Sequence, residues 1–198
     1  MTYVFDLDGT LIDSTERHWR LMESILAGHG IRCGNDFAAD YMYYKSSGNS
    51  GKSYLTDVMC LDPDTAETIQ KEWIESIEDE EWLMYDRLYD DALPTLNRLT
   101  GSILFLTIRE NRDGLIKQLK DLGLDKYRLE VLSHKDKKSD VLIKIQGEVL
   151  MTGDTEIDLA AAKEAHCGFY MLNRGFRNKA YWDRQGITSY EDLGCLPV

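Results

Sequence analysis

No apolar run in this 198-residue chain approaches the roughly 18 residues that a membrane-spanning helix needs, so no membrane partner is expected. The N-terminus lacks the basic-then-apolar layout of a signal peptide, because acidic residues begin at Asp6, and a cytoplasmic location is the expectation. Positive charge is scarce as well. Against 35 Asp and Glu stand 23 Lys and Arg, leaving a formal net charge of -12. Such a surface repels nucleic-acid backbones and anionic membranes, so no nucleic-acid partner is expected. A phosphorylated small molecule stays admissible, since one basic pocket or metal reverses the field locally. The four cysteines (Cys33, Cys60, Cys167 and Cys195) show neither metal-type spacing nor disulfide-rich density and read as reduced, partly buried thiols. There is no internal repeat and no low-complexity linker.

What is present divides into two patterns. Met1 to Leu7 reads as a short apolar strand ending in a carboxylate cluster. From Ser14 to about Met84, apolar residues recur at helical spacing: Trp19, Met22, Ile25 and Leu26, then Ile69, Trp73, Ile74 and Ile77. Asp62-Pro63 predicts a helix start, with an aspartate N-cap and proline at the first helical position. After Tyr85 strand and helix signals alternate. Leu88 to Leu99 reads as helix, 102–107 as strand, Arg112 to Leu122 as helix closed by Gly123, and Arg128 to Leu132 as strand. Ser139 to Gln146 follows as helix, Val149 to Thr152 as strand, Ile157 to Ala165 as helix, and Gly168 to Leu172 as strand. Apolar strands separated by helices indicate an α/β fold, a Rossmann-like doubly wound parallel sheet covered on both faces. The sheet domain is assigned to residues 1–13 and 86–198, with a small helical domain inserted over 14–85.

Open parallel sheets bind ligands at the carboxyl ends of their strands. The first strand delivers Asp6 and Asp8 there, the second Thr107 and then Arg109, and the fourth Gly153, Asp154 and, one helical turn on, Asp158. Lys137 and Lys138 open the Ser139 helix. Clustered carboxylates raise one another's pKa unless a cation sits among them. A hard ion such as Mg2+ answers that need with few protein ligands. A metal-held carboxylate beside a lysine and a hydroxyl can attack phosphorus, and the remaining task is to position and neutralise the phosphoryl oxygens. Thr107, the backbone after it at Ile108, and Lys138 are placed for that.

The segment Asp6-Leu-Asp-Gly-Thr10-Leu-Ile-Asp resembles the first motif of the haloacid dehalogenase superfamily. Thr107 after an apolar strand, a lysine before a helix, and Gly153-Asp154-Thr-Glu-Ile-Asp158 follow in that superfamily's order. The resemblance covers essentially the whole chain; its first and last motifs are specific, its middle two single residues. It implies that Asp6 is the nucleophile and Asp8 the general acid/base, with Gly9 and Thr10 shaping the phosphate loop. It further implies Mg2+ held by Asp6, the Asp8 backbone carbonyl and Asp154, with Asp158 in support through a water or hydrogen bond. Asp8 favours a phosphatase or phosphomutase, since the dehalogenases lack this second carboxylate. The insertion resembles the family's helical cap, and a histidine four residues after Ser14, here His18, is found in cap-bearing sugar-phosphate phosphatases and phosphomutases. Lys45, Gly48, Asn49, Ser50 and Lys52 fall where such caps place a specificity loop.

Two departures are visible. The lysine motif usually carries a neighbouring proline, whereas here Lys137-Lys138-Ser139 leaves two lysines open, Lys138 being preferred as nearer the helix start. Ile108-Arg109 follows Thr107 where asparagine or glycine is usual, so Arg109 either contacts substrate or caps the next helix. His18 either serves the site or packs beside Trp19. Tyr41, Tyr43 and Tyr44 read as packing of the helical insertion, and Glu75 to Glu81 as a solvated helix face. Gly48 to Ser53 mimics the end of a nucleotide-binding loop, but Ser46 stands where that motif needs glycine and no apolar strand precedes it.

The expectation is therefore Mg2+-dependent hydrolysis of a small phosphate monoester, of sugar phosphate, phosphoglycolate or nucleotide type, through an aspartyl-phosphate. The alternatives are a phosphomutase on the same core, a non-catalytic binding member, and a phosphatase of nucleic-acid ends. Neither the particular substrate nor the oligomeric state is legible.

Overall fold

A computed structural model describes residues 1–197. In chain order its elements are β1 (Thr2–Phe5), β2 (Ile12–Asp13), α1 (Thr15–Gly28), α2 (Phe37–Ser46), α3 (Gly51–Asp57), α4 (Pro63–Ser76), α5 (Glu80–Leu83), β3 (Arg87–Leu88) and α6 (Ala92–Arg98). They continue with β4 (Ser102–Ile108), α7 (Arg112–Asp121), β5 (Arg128–Leu132), α8 (Lys138–Leu142), β6 (Val149–Gly153), α9 (Glu156–Glu164), β7 (Gly168–Met171) and α10 (Lys179–Arg184).

Five strands pair in parallel in the order β5-β4-β1-β6-β7, so β1 lies at the centre. Phe5 registers with Phe105 on one side and Thr152 on the other. Alternation along β1 then builds two cores. Tyr3 and Phe5 join Leu7, Phe105 and Leu115 on one face, while Val4 joins Leu104, Leu106 and Met151 on the other. Each strand in the middle of the sheet is apolar on both faces because each face is covered. That is why β1, β4 and β6 are continuous apolar runs rather than alternating ones.

Helices α1 to α4 build a third cluster of their own from Met22, Leu26, Phe37, Tyr41, Tyr54, Leu55, Ala66 and Ile69. Asp62 caps α4 by accepting from the Thr65 amide, as the Asp62-Pro63 pair predicts. Tyr41 and Tyr44 pack in this cluster against Tyr54, whereas Tyr43 is 70% exposed. The chain enters and leaves this helical stretch through β2 and β3, which pair antiparallel.

Some elements differ from the sequence reading. The helix expected over Leu88 to Leu99 begins only at Ala92, because Arg87–Leu88 is taken up by the pairing with β2. The helix expected over Ser139 to Gln146 is the short α8, and α10 has no counterpart in that reading. Cys60 and Cys195 are exposed rather than partly buried, and all four thiols are free. Among the described residues, no helix is long and apolar enough to cross a membrane.

Candidate active site

The carboxyl ends of β1 and β6 and the start of α8 meet at one corner. Lys138 Nζ donates to Asp6 Oδ1 at 2.6 Å and to Asp158 Oδ1 at 2.7 Å, and all three side chains are almost wholly buried. Asp158 reaches back to the start of α9, where its Oδ2 accepts from the Thr155 hydroxyl at 2.8 Å. Asp154 completes the corner, with Oδ2 accepting the Phe176 amide at 2.7 Å. Its Oδ1 is buried without a hydrogen-bond partner.

Three carboxylates against one lysine leave excess negative charge in a low-dielectric corner, and the ionisation equilibria register it. Burial, reinforced by Asp158 and Asp8, raises Asp6 to about 7 against the pull of Lys138. Burial and the repulsion of Asp6 and Asp158 hold Asp154 well above the usual carboxylate range. Burial works against the charge on Lys138, but Asp158 and Asp6 outweigh it and raise its pKa. One oxygen from each of Asp6, Asp154 and Asp158 lies within 4.8 Å of the other two. The orphaned Asp154 oxygen, the charge excess and the all-oxygen donor set fit a hard divalent cation.

Gly9 belongs to this corner for a steric reason. Its φ is +75°, and a Cβ there would collide with Asp154 Oδ2. Gly175, at φ +71°, approaches equally closely, with a Cβ position overlapping the Gly9 backbone. The loop bearing Gly175 and Phe176 is thus folded directly onto the first-motif turn. Thr10 takes part through its backbone, where its carbonyl accepts from Arg174. Thr107 is buried near the end of β4, two residues beyond the Phe5–Phe105 pair, and Ile108 follows it into the adjoining cleft.

Two residues after Asp6 the surroundings reverse. Asp8 Oδ1 accepts from Arg17 Nη2 at 2.5 Å and from Arg109 Nη2 at 2.8 Å, while Oδ2 accepts from Arg109 Nε at 2.8 Å. Burial alone would raise Asp8, but the Arg109 and Arg17 guanidiniums outweigh it and hold its carboxyl at about 2. Asp86 stands behind them. Its Oδ1 lies 3.1 Å from Arg17 Nε without the alignment of a hydrogen bond, and its Oδ2 accepts from Gln118 Nε2 at 2.7 Å. Burial, then the repulsion of Asp8, raises Asp86 to about 7 despite Arg17.

A cleft of about 740 Å³ opens beside this cluster, bounded by Asp8, Arg17, His18, Trp73, Arg109 and Phe176 among others. That volume suits a small ligand. His18 does not pack beside Trp19. Its ring meets Trp73 at 5.0 Å and Phe176 at 4.4 Å, and its Nδ1 lies 2.8 Å from Lys45 Nζ. Burial and the neighbouring cations push the His18 pKa well below its ordinary value, so the ring is neutral and accepts from Lys45. Burial, then Arg177 and Arg17, lower Lys45 to about 7.

The family model for haloacid dehalogenase-like hydrolases matches residues 1–166. The chain belongs to that family. Solved structures agree in fold. A haloacid dehalogenase-like hydrolase from Streptococcus pneumoniae is similar at 18% identity and a TM-score of 0.72, over 95% of this chain and 91% of that one. A predicted phosphatase from Clostridium acetobutylicum matches at 18% identity and TM-score 0.67, over 95% and 91%. A predicted phosphoglycolate phosphatase from Haemophilus somnus matches at 20% identity and TM-score 0.64, over 90% and 87%. No curated protein matches the chain closely enough to carry an argument.

Against the family's motif order the structure decides between the two lysines. Lys138 is the one at the carboxylates, while Lys137 is exposed, 3.6 Å from Glu164. Arg109 does not cap α7, because Asn111 Oδ1 already accepts the Gly114 amide there. The Asp8 side chain, in the arginine cluster, stays outside the carboxylate corner of Asp6, Asp154 and Asp158.

The expected specificity loop is brought to the site only through Lys45. Asn49 donates to the Tyr44 carbonyl and Lys52 pairs with Glu67 on the exposed surface. Ser50 caps α3 by accepting from the Ser53 amide. Loop residues that must close one helix and start the next have their polar groups committed to that task. The helix α2 before them, rather than a strand, also removes the nucleotide-loop reading.

Residues that the sequence reading missed are Arg17, Asp86, Trp73, Glu78 and Phe176. Arg17 carried a faint signal, one turn before Leu21 on the face of α1 that is buried. Glu78, read as part of a solvated face, accepts the Asn111 amide at 2.6 Å and so ties the helical insertion to the loop after β4.

Proposed function

We propose that this protein is a phosphatase of small phosphate monoesters, working through a phosphorylated Asp6. The observation that carries the reading is Lys138 bridging Asp6 and Asp158 at the strand ends, with Asp154 buried beside them. Asp6, Asp154 and Asp158 would hold a divalent cation, Mg2+ by its preference for oxygen ligands, and when bound it supplies charge neutralisation for the transferring phosphoryl group.

The chain's own residues account for the rest. An Asp6 oxygen attacks phosphorus as the bond to the leaving alkoxide breaks, and Asp8, once it has left the two arginines and taken up a proton from solvent, gives that alkoxide the proton. Asp8 then takes a proton from the water that attacks the aspartyl-phosphate, releasing phosphate and restoring Asp6. Lys138 keeps Asp6 oriented and offsets the charge of the phosphoryl oxygens, aided by the Thr107 hydroxyl and the Ile108 amide. Helices α1 to α5, inserted between β2 and β3, serve as the cap. Trp73 of α4 and Ile77 just after it wall the cleft together with Ile108 and would limit the water reaching the reaction. The names of structural neighbours that mention phosphatase point the same way.

The test is release of inorganic phosphate from a panel of monoesters with and without Mg2+. Hydrolysis that requires the metal and vanishes in Asp6→Asn supports the reading. Turnover unchanged in Asp6→Asn would overturn it. A hexose 1-phosphate converted to the 6-phosphate without free phosphate would replace hydrolysis by phosphoryl shuttling on the same residues.

A further inference from the structure

The mechanism above needs Asp8 to face the ester oxygen, yet both its oxygens are engaged elsewhere. Arg109 grips it through two parallel bonds and Arg17 adds a third. Arg17 and Arg109 are only 2% and 5% exposed, so with Asp8 in place little of either guanidinium meets solvent. Asp86 does not fill the gap, since it lies 4.0 Å from Arg109 Nη2 and is misaligned with Arg17 Nε. Turning Asp8 toward the substrate therefore leaves Arg109 with no hydrogen-bonded carboxylate and Arg17 with only the misaligned Asp86 carboxylate and the Ile77 carbonyl, a costly state unless another anion arrives.

The geometry points to a second-anion subsite: Arg17 and Arg109 receive a carboxylate or second phosphate on the substrate, and its arrival releases Asp8 for proton transfer. The inference rests on the phosphatase reading and narrows its substrate class to phosphate monoesters that carry another acidic group. Both arginines line the cleft that adjoins the first motif. A guanidinium fork that now holds a carboxylate side-on has the geometry to hold another one. Glu75, Glu78, Asp79 and Glu110 also border the cleft, so the arginines must outweigh their charge. Glu78 is committed to the amides of residues 110 and 111, and Glu110 accepts the His134 amide. Trp73, Ile74, Ile77, Ile108 and Phe176 give the cleft an apolar stretch that suits a short carbon chain between the two anions.

The subsite has a kinetic signature. A neutral ester binds through its phosphate but leaves Asp8 in the arginine fork, so the missing anion lowers kcat and not only affinity. The experiment compares three series of matched chain length with Mg2+ present: n-alkyl phosphates, ω-carboxyalkyl phosphates beginning with 2-phosphoglycolate, and alkane bisphosphates. At one chain length at least, an acidic series should exceed its alkyl counterpart by about tenfold or more in kcat/KM, part of it in kcat. Which acidic series leads identifies the anion. In Arg109→Met and Arg17→Met that ratio should collapse toward unity, whatever the residual rate, and Arg109→Lys should keep part of it. Wild-type hydrolysis of all three series with equal efficiency would overturn the subsite and leave the phosphatase reading standing. Ratios unchanged in both methionine variants would do the same. No hydrolysis of any ester would overturn both.

Discussion

Asp6 and Asp8 lie two residues apart on one turn, are both substantially buried, and are driven in opposite directions. Asp6 shares one lysine with Asp158, beside Asp154, and rises to about 7. Asp8 meets two arginines and falls to about 2. Burial pushes both carboxyls up, so the difference lies in the count of cations at hydrogen-bond range. One corner is short of positive charge and suited to a metal; the other is supplied with it and already closed. The same short motif thus feeds two sites of contrary electrostatics, which the proposed mechanism uses for the transferring group and for the proton.

The hardest strike at the first corner is Asp6→Asn. Loss of the nucleophile should lower kcat by about 10³-fold or more while the fold survives, checked by phosphate release alongside circular dichroism. Asp8→Asn strikes the second. Without the proton donor, kcat should fall by about 10²- to 10⁴-fold, and thermal stability should drop because Arg17 and Arg109 lose their shared partner. Retention of full thermal stability in Asp8→Asn would mean that the arginine cluster does not depend on it. Lys138→Met removes the cation that, among the described residues, is bonded to both Asp6 and Asp158. It should cost about 3 kcal/mol in metal-free protein, with Mg2+ recovering more of the lost Tm than it adds to wild type.

The contrast also sets opposite responses to pH. Asp6 binds its proton more tightly folded, at about 7, than at its ordinary 3.8. In metal-free protein its contribution to stability is therefore full below the ordinary value and lost as pH rises to about 7. Asp8 behaves conversely, contributing above the ordinary 3.8 and losing that contribution as pH falls through about 2. Chemical denaturation of metal-free protein should show a decline across the first window that is shallower in Asp6→Asn; an identical slope would refute the assignment. The smallest effects are expected at Asn49→Ala and Lys52→Ala, whose side chains serve the insertion's surface. Each should change stability by less than about 0.5 kcal/mol and kcat/KM by less than about twofold.

The difference between the two corners also explains what the sequence disclosed. The first corner was legible because its residues sit at the ends of continuous apolar strands, where a parallel sheet must expose them: Asp6 after β1, and Asp154 and Asp158 after β6. Lys138 was legible only as one of a pair, since which lysine turns inward depends on where α8 begins. The second corner was half hidden. Arg109 stood out as a departure from the usual motif, but Arg17 looks like any charge on an amphipathic helix until α1 is docked on the sheet. Asp86, at the far end of the insertion, and Phe176, in a loop after β7, reach the site by tertiary packing with no local signal. Asn49 and Lys52 misled for the complementary reason: polar residues in a glycine-rich loop suit a ligand and a helix cap equally well.

The central claim is that Asp6 itself receives the phosphoryl group. Rapid acid quench of the protein turning over a monoester with Mg2+, followed by peptide mass spectrometry, addresses it directly. A phosphoryl group on Asp6 in wild type, absent from the whole chain in Asp6→Asn, is the expected result. A phosphoryl group on any other side chain, or steady turnover in Asp6→Asn, would contradict it.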